Sequence, residues 1–229
     1  MKCSNITIFV FMSVLLFSSS WAASTTAAVV AYNKKDYATV VSIFTDHAKQ
    51  GDAFAQTFLG WMYDNGEGVL DDDAAATQWW KLAAEQGHAK AQVFLGVRYV
   101  NGNGIGKDPV EAVKWYRRAA EQGYAKGQSN LGGMYAAGTG VTKDEAEAAK
   151  WYLLAAGQGD LKAQTALGVM FEKGLGVSQD YVRSYLWWSL AAAQGSDVAV
   201  KGKDALAKLM TPAQLEEAAR LLAVWRPIR

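Results

Sequence analysis

Chemistry in this sequence would have to come from two histidines, one glycine-rich loop or nine tryptophans. A histidine works as a general base or a metal ligand only beside a second group held at a fixed spacing. His47 and His88 have no such neighbour, because no His-x-x-x-His or related pattern occurs around either. The loop Gly102-Asn103-Gly104-Ile105-Gly106-Lys107 has the glycines of a phosphate cradle. Its spacing differs from Gly-x4-Gly-Lys-Ser/Thr, and Asp108 follows the lysine where a hydroxyl is needed. Ser-x-x-Lys and Lys-Thr-Gly, the marks of one class of acyl-serine hydrolases, are both missing. The single cysteine, Cys3, stands at the extreme amino terminus. The rest of the chain therefore has no thiol for a zinc site, a disulfide or a nucleophile. The expectation is no catalytic residue, no metal site and no cofactor.

The tryptophans report a repeat. Trp79, Trp115, Trp151 and Trp187 recur every 36 residues, and the segments 51–86, 87–122, 123–158 and 159–194 align without a gap. Gln56, Gln92, Gln128 and Gln164 share one slot, Leu59, Leu95, Leu131 and Leu167 another, and Gly60, Gly96, Gly132 and Gly168 a third. A period of this length marks a stack of small units, none of which can bury its apolar face alone. Gly-x-Gly occurs in every unit, as in Gly66/Gly68 and Gly138/Gly140, so the phosphate-like loop is a turn. In the second unit, Ala91, Leu95 and Tyr99 share one face of a helix expected over about 89–100. Gly102 ends it. A second helix starts at Pro109, with Asp108 as cap and Glu111 where a capping box places its acid. Trp115 and Tyr116 lie on its packing face, and Trp115 is expected in the core. Residues 23–50 read as a tail and the half-repeat helix Asp36–Gln50. Residues 195–229 read as capping helices, the last opening at Thr211-Pro212.

The unit pattern Ala-x-Ala-Gln-x-x-Leu-Gly-x-x-Tyr, then Gly-x-Gly-Val, then Asp and Trp-Tyr-x-x-Ala-Ala-x-Gln-Gly resembles the Sel-one-like repeat (SLR) family, a relative of the tetratricopeptide repeats. The third unit carries it as Gly127-Gln128, Leu131-Gly132, Tyr135, Gly138-Thr139-Gly140-Val141, Asp144, Trp151-Tyr152 and Ala155-Ala156. The fourth departs at Phe171 and Ser184. The resemblance implies an all-α fold: an α-solenoid, a right-handed superhelix of four 36-residue helix–turn–helix repeats with terminal capping helices and a concave groove. It also implies a non-enzymatic adaptor that holds a peptide or protein. A cysteine-rich branch of the family has been linked to β-lactam binding and hydrolysis, but its cysteine pairs are absent here. By analogy with the groove of the tetratricopeptide repeats, Trp61, Val97, Asn65 and Asn101 face the groove, as do Thr57, Val93, Ser129 and Thr165, with Asp64, Val100, Ala136, Glu172 and Lys173. Lys90, Lys126 and Lys162 form a basic row on one lip. Trp61 has two readings: it anchors a partner side chain, or it packs under the leading half-unit.

Lys2, the apolar run Ile6–Phe17 and Ser20-Trp21-Ala22 read as a secretory signal peptide, residues 1–22, cleaved after Ala22. The run is too short for a membrane span. Glycosylation acceptors are absent after residue 22, in keeping with a bacterial envelope. The expected location is periplasmic or secreted. Lys plus Arg number 23 and Asp plus Glu 22, so no nucleic-acid partner is expected, and no membrane insertion after cleavage. A protein or peptide partner, in host contact or envelope assembly, is the first reading. A carbohydrate or peptidoglycan-fragment binder is the second, and a β-lactamase-like hydrolase the third.

Overall fold

Gly66, Gly102, Gly138 and Gly174 decide where each unit bends. All four adopt left-handed backbone, with φ of 65°, 83°, 66° and 70°, a conformation that a Cβ opposes. The computed structural model describes residues 19–228. Twelve helices follow one another there: α1 (Ser19–Asn33), α2 (Tyr37–Lys49), α3 (Ala53–Asn65), α4 (Asp73–Glu85), α5 (Ala89–Asn101), α6 (Pro109–Glu121), α7 (Ala125–Ala137), α8 (Glu145–Gly157), α9 (Leu161–Lys173), α10 (Tyr181–Ala193), α11 (Asp197–Ala207) and α12 (Pro212–Val224). The described residues contain no strand. The chain is an all-α solenoid. The signal peptide expected at 1–22 lies outside the described residues except for its last four, which open α1.

The second glycine of each Gly-x-Gly has a different task. A Cβ on Gly68 would stand 2.5 Å from the Tyr37 carbonyl oxygen, so the loop presses on the first turn of the preceding unit's second helix. Gly104, Gly140 and Gly176 meet Asp73, Pro109 and Glu145 in the same way.

The second helices start on aspartates. Asp108 accepts from the amides of Val110 and Glu111, each at 3.0 Å. The capping box expected from Glu111 does not form. The Asp108 amide already donates to the Tyr99 carbonyl at 2.8 Å, so no free donor remains for the acid. Glu111 pairs with Lys114 instead, at 2.7 Å. Asp72, Asp144 and Asp180 make the same backbone link across their turns. The capping box at Thr211 does form, with Gln214.

The core uses both aromatics of each Trp-Tyr pair, the second more uniformly. Trp80, Tyr116, Tyr152 and Trp188 are all buried, whereas Trp79 and Trp151 are half-buried. Trp115 is buried as expected. Each second ring lies on its own unit's glycine: a Cβ on Gly60 or Gly96 would stand 2.5 Å from Trp80 or Tyr116. Deleting one large core ring costs about 3–5 kcal/mol, which explains why no side chain occupies the slot beneath it.

The invariant glutamines join the units. The Gln56 Nε2 donates to the Ala48 carbonyl at 3.0 Å, and its Oε1 accepts from Gln86 at 2.7 Å. Gln92 with Gln122, Gln128 with Gln158, and Gln164 with Gln194 repeat the link at 2.8–2.9 Å. Each buried amide thus adds a side-chain donor to a helix-end carbonyl that also accepts from the backbone, as the Ala48 carbonyl does from Gly51, and its own oxygen accepts from the next glutamine.

The stretch read as a tail contains α1, which pairs with α2, so the leading unit has two helices. Its connection is only Lys34–Asp36, with Lys35 at φ 61°, against the seven residues 66–72 between α3 and α4. The shorter loop takes α1 out of the 36-residue register. First helices also pack on one another along the stack, α5 on α7, α7 on α9 and α9 on α11. Within the repeats α4, α6, α8 and α10 make no comparable contact with one another, and only α10 meets a later second helix, α12; we therefore call the first helices the inner layer and α4, α6, α8 and α10 the outer one.

Candidate functional site on the inner helical face

Each first helix keeps one stripe at least partly exposed, at spacings of four, three and four residues. In α3 it is Phe54, Phe58, Trp61 and Asn65; in α5, Lys90, Phe94, Val97 and Asn101. In α7 it is Lys126, Asn130, Gly133 and Ala137; in α9, Lys162, Ala166, Val169 and Lys173. All are exposed or half-buried. The sequence-selected Trp61, Asn65, Val97, Asn101, Lys90, Lys126 and Lys162 therefore lie on a single face. Three others expected there do not: Thr57, Val93 and Ser129 are buried. One position earlier on the helical wheel, their side chains point into the next unit's packing instead of the groove. Asp64 is also committed, paired with Arg98.

Trp61 is half-buried. Its ring centroid lies 5.6 Å from Phe58 and 6.4 Å from Tyr32 of α1, so it packs under the leading unit and keeps part of its surface open. Asn65 donates to the Trp61 carbonyl at 2.7 Å. Phe54, 46% exposed, and Phe58 continue the aromatic surface. Beside them, Val29, Tyr32 and Phe44 help line an apolar cleft between α1 and α3. Sequence reasoning passed over Phe54, Phe58 and Phe94. The available signal was a departure: phenylalanine stands at 54 where the later units have lysine.

The lysines differ among themselves. Lys126 pairs with the buried Asp160 at 2.8 Å. Burial alone would raise the Asp160 carboxyl, but Lys126 and the Ala163 amide hold it below the usual carboxylate range. Lys162 reaches the Asn130 amide oxygen at 3.1 Å. The Lys90 ammonium lies 5.7 Å from the Phe94 ring centroid. Burial of these two ammoniums lowers both their pKa values.

At the junction of the first two units, Thr57 Oγ donates to the Ala53 carbonyl and lies 2.7 Å from His88 Nδ1. The hydroxyl has one proton, so His88 Nδ1 donates to it. Desolvation, reinforced by Lys90, lowers the His88 pKa and keeps the ring neutral. His47 bonds Ser24 at 2.6 Å. Among the described residues, no group of three or more His, Cys, Asp or Glu is placed to hold a metal ion. No described helix is long and apolar enough to cross a membrane.

The family model of the Sel1 repeat matches residues 53–88, 89–124, 125–160 and 161–196. Its units start two residues later than 51–86 and its successors, the same period in another phase. A protective antigen present in uropathogenic Escherichia coli strains, with an SLR fold, is 35% identical over 89% of this chain, with a TM-score of 0.76. The chain spans 45% of that antigen's length. A Sel1 repeat protein from Oxalobacter formigenes is 33% identical, with a TM-score of 0.70, covering 85% of this chain and 84% of its own. A Sel1 repeat protein from Klebsiella pneumoniae shares the fold at 22% identity and a TM-score of 0.53, covering 82% and 93%. A search of curated proteins gives no match.

Proposed function

The chain belongs to the Sel1 repeat family, and from that premise we propose that it is an exported binding scaffold that holds a peptide or protein on its inner helical face. The observation that carries this reading is the open stripe on α3, α5, α7 and α9. Its exposed Phe54 and half-buried Phe58 and Trp61 lie in line with the exposed Lys90, Lys126 and Lys162, of which Lys90 and Lys162 have no carboxylate partner. Aromatic anchors in partly desolvated settings tend to dominate protein interfaces. The leader-like residues 1–22 support export. The antigen described for uropathogenic E. coli fits a protein met outside the cell.

Photo-crosslinking inside the cell tests the reading, with a probe at Trp61 and a matched probe at Lys114, an exposed lysine of the outer layer. A discrete adduct from position 61 alone is the expected result. An adduct from 114 alone would place the partner on the outer layer and overturn it.

A further inference from the structure

The inner face changes chemistry along its length, and the change points to one kind of occupant. The slot at the start of each first helix holds Phe54, then Lys90, Lys126 and Lys162. A lysine in the first turn faces the positive end of the helix dipole, where an acid is the favourable choice. Here the unfavourable residue stands in three consecutive units. The next slot holds Phe58, Phe94, Asn130 and Ala166. The surface thus runs from aromatic at α3 to basic and polar at α7 and α9.

The fold neutralises one of the three ammoniums. Lys126 has Asp160. Lys162 has a neutral amide oxygen, and Lys90 has the Phe94 ring. Neither of these two forms an ion pair within 4.0 Å in the structure, and both are exposed to an incoming partner. An ammonium without an ion pair is open to a carboxylate delivered by a partner, which pairs with it through a charge-assisted hydrogen bond.

We infer that the inner face takes an extended acidic peptide segment, its apolar end on Phe54, Phe58 and Trp61 and its carboxylates on Lys90 and Lys162. This rests on the binding-scaffold reading above and names the ligand class. The two lysines are two helices apart. With helix axes about 8–10 Å apart, they stand roughly 16–20 Å from each other, which an extended chain rising about 3.3 Å per residue spans in five or six residues. The ligand therefore has two acidic residues at about that separation, with an aromatic or aliphatic residue beyond the one that meets Lys90.

The test is selection from a random peptide display library on the purified protein and, in parallel, on K90E/K162E and on K114E, each with an unchanged melting temperature. The expected result is enrichment of peptides with paired acids and an apolar end. These should bind K90E/K162E at least about tenfold more weakly and K114E equally well. Enriched peptides without an acidic bias, yet lost on Phe54→Ser, would overturn the ligand class and leave the scaffold reading standing. Enrichment that only K114E abolishes, or no enrichment at all, would overturn both.

Discussion

The two ends of the inner layer solve the same packing problem with different residues. At the amino-terminal end ring covers ring: Phe58 lies 4.4 Å from Phe44 between centroids, and Phe94 lies 4.7 Å from Trp80. Further along, Ala166 packs in the cluster that holds Tyr152, and a Cβ on Gly202 would stand 2.8 Å from Trp188. The first two units also carry an addition that the others lack. Arg98 stands where Met62, Met134 and Met170 stand elsewhere. It is buried, pairs with Asp64 and Asp73, and lies over the Trp80 ring at 4.9 Å. The contrast teaches that the repeat fixes the backbone and the buried ring, while the covering residue remains free to vary. Variation there sets what the inner face presents.

The largest expected effect comes from removing a buried ring at the aromatic end. Trp80→Ala should lower stability by about 3–5 kcal/mol in urea unfolding, since it leaves a cavity between Gly60 and Phe94 and frees the Thr57 carbonyl that Trp80 Nε1 now reaches at 3.0 Å. Tyr152→Ala should fall below it, because Ala166 offers no ring to lose. The reverse order would break the comparison.

Arg98→Ala should cost about 1–2 kcal/mol, less than for a fully buried pair, because Asp64 and Asp73 remain partly hydrated. Arg98→Met, the residue of the sister units, should recover part of the loss through packing. A stability equal to that of Arg98→Ala would deny the methionine slot its apolar character.

The two junctions should also separate by pH. His88 is held below its ordinary pKa by desolvation. The unfolded ring binds a proton more readily than the folded one, so the His88 contribution is present above the unfolded value of about 6.5 and is lost as pH falls through the lowered folded value. Asp160 is also depressed, so its contribution is present above the unfolded carboxyl value of about 3.9 and fades at still lower pH. Urea midpoints measured against pH should lose their upper slope in His88→Gln and their lower slope in Asp160→Asn. Parallel profiles for all three proteins would contradict this assignment.

The smallest stability effect is expected where the functional effect is large. Phe54→Ser should change stability by no more than about 0.5 kcal/mol, because the ring is 46% exposed, and still weaken a bound partner. A calorimetric scan beside a binding isotherm checks both halves.

Most of the architecture was legible because it rests on identities repeated four times. Gly60 and its equivalents, the glutamine links and the Gly-x-Gly turns each make a ring, amide or backbone contact that recurs from unit to unit. The leading unit was only half legible: its loop is shorter, so α1 keeps no register with later units. The capping box at Glu111 failed because the sequence does not show that the Asp108 amide is taken by Tyr99. On the inner face, Trp61, Val97, the asparagines and the lysines share one partly exposed stripe, the position that their slots in the repeat suggested. Thr57, Val93 and Ser129 were misplaced because one step around a helix separates an open side chain from a buried one. Phe54, Phe58 and Phe94 escaped notice because a repeat draws attention to what recurs, and these matter by departing from it.

Paired crosslinking from the two ends of the inner face tests the central claim most directly, with one probe at Phe54 and another at Lys162 in separate preparations of the whole protein. The account predicts that both capture the same partner, with the adducts mapping to an apolar residue and to an acidic stretch of one segment. Different partners from the two positions, or an adduct from only one of them, would contradict a single binding surface.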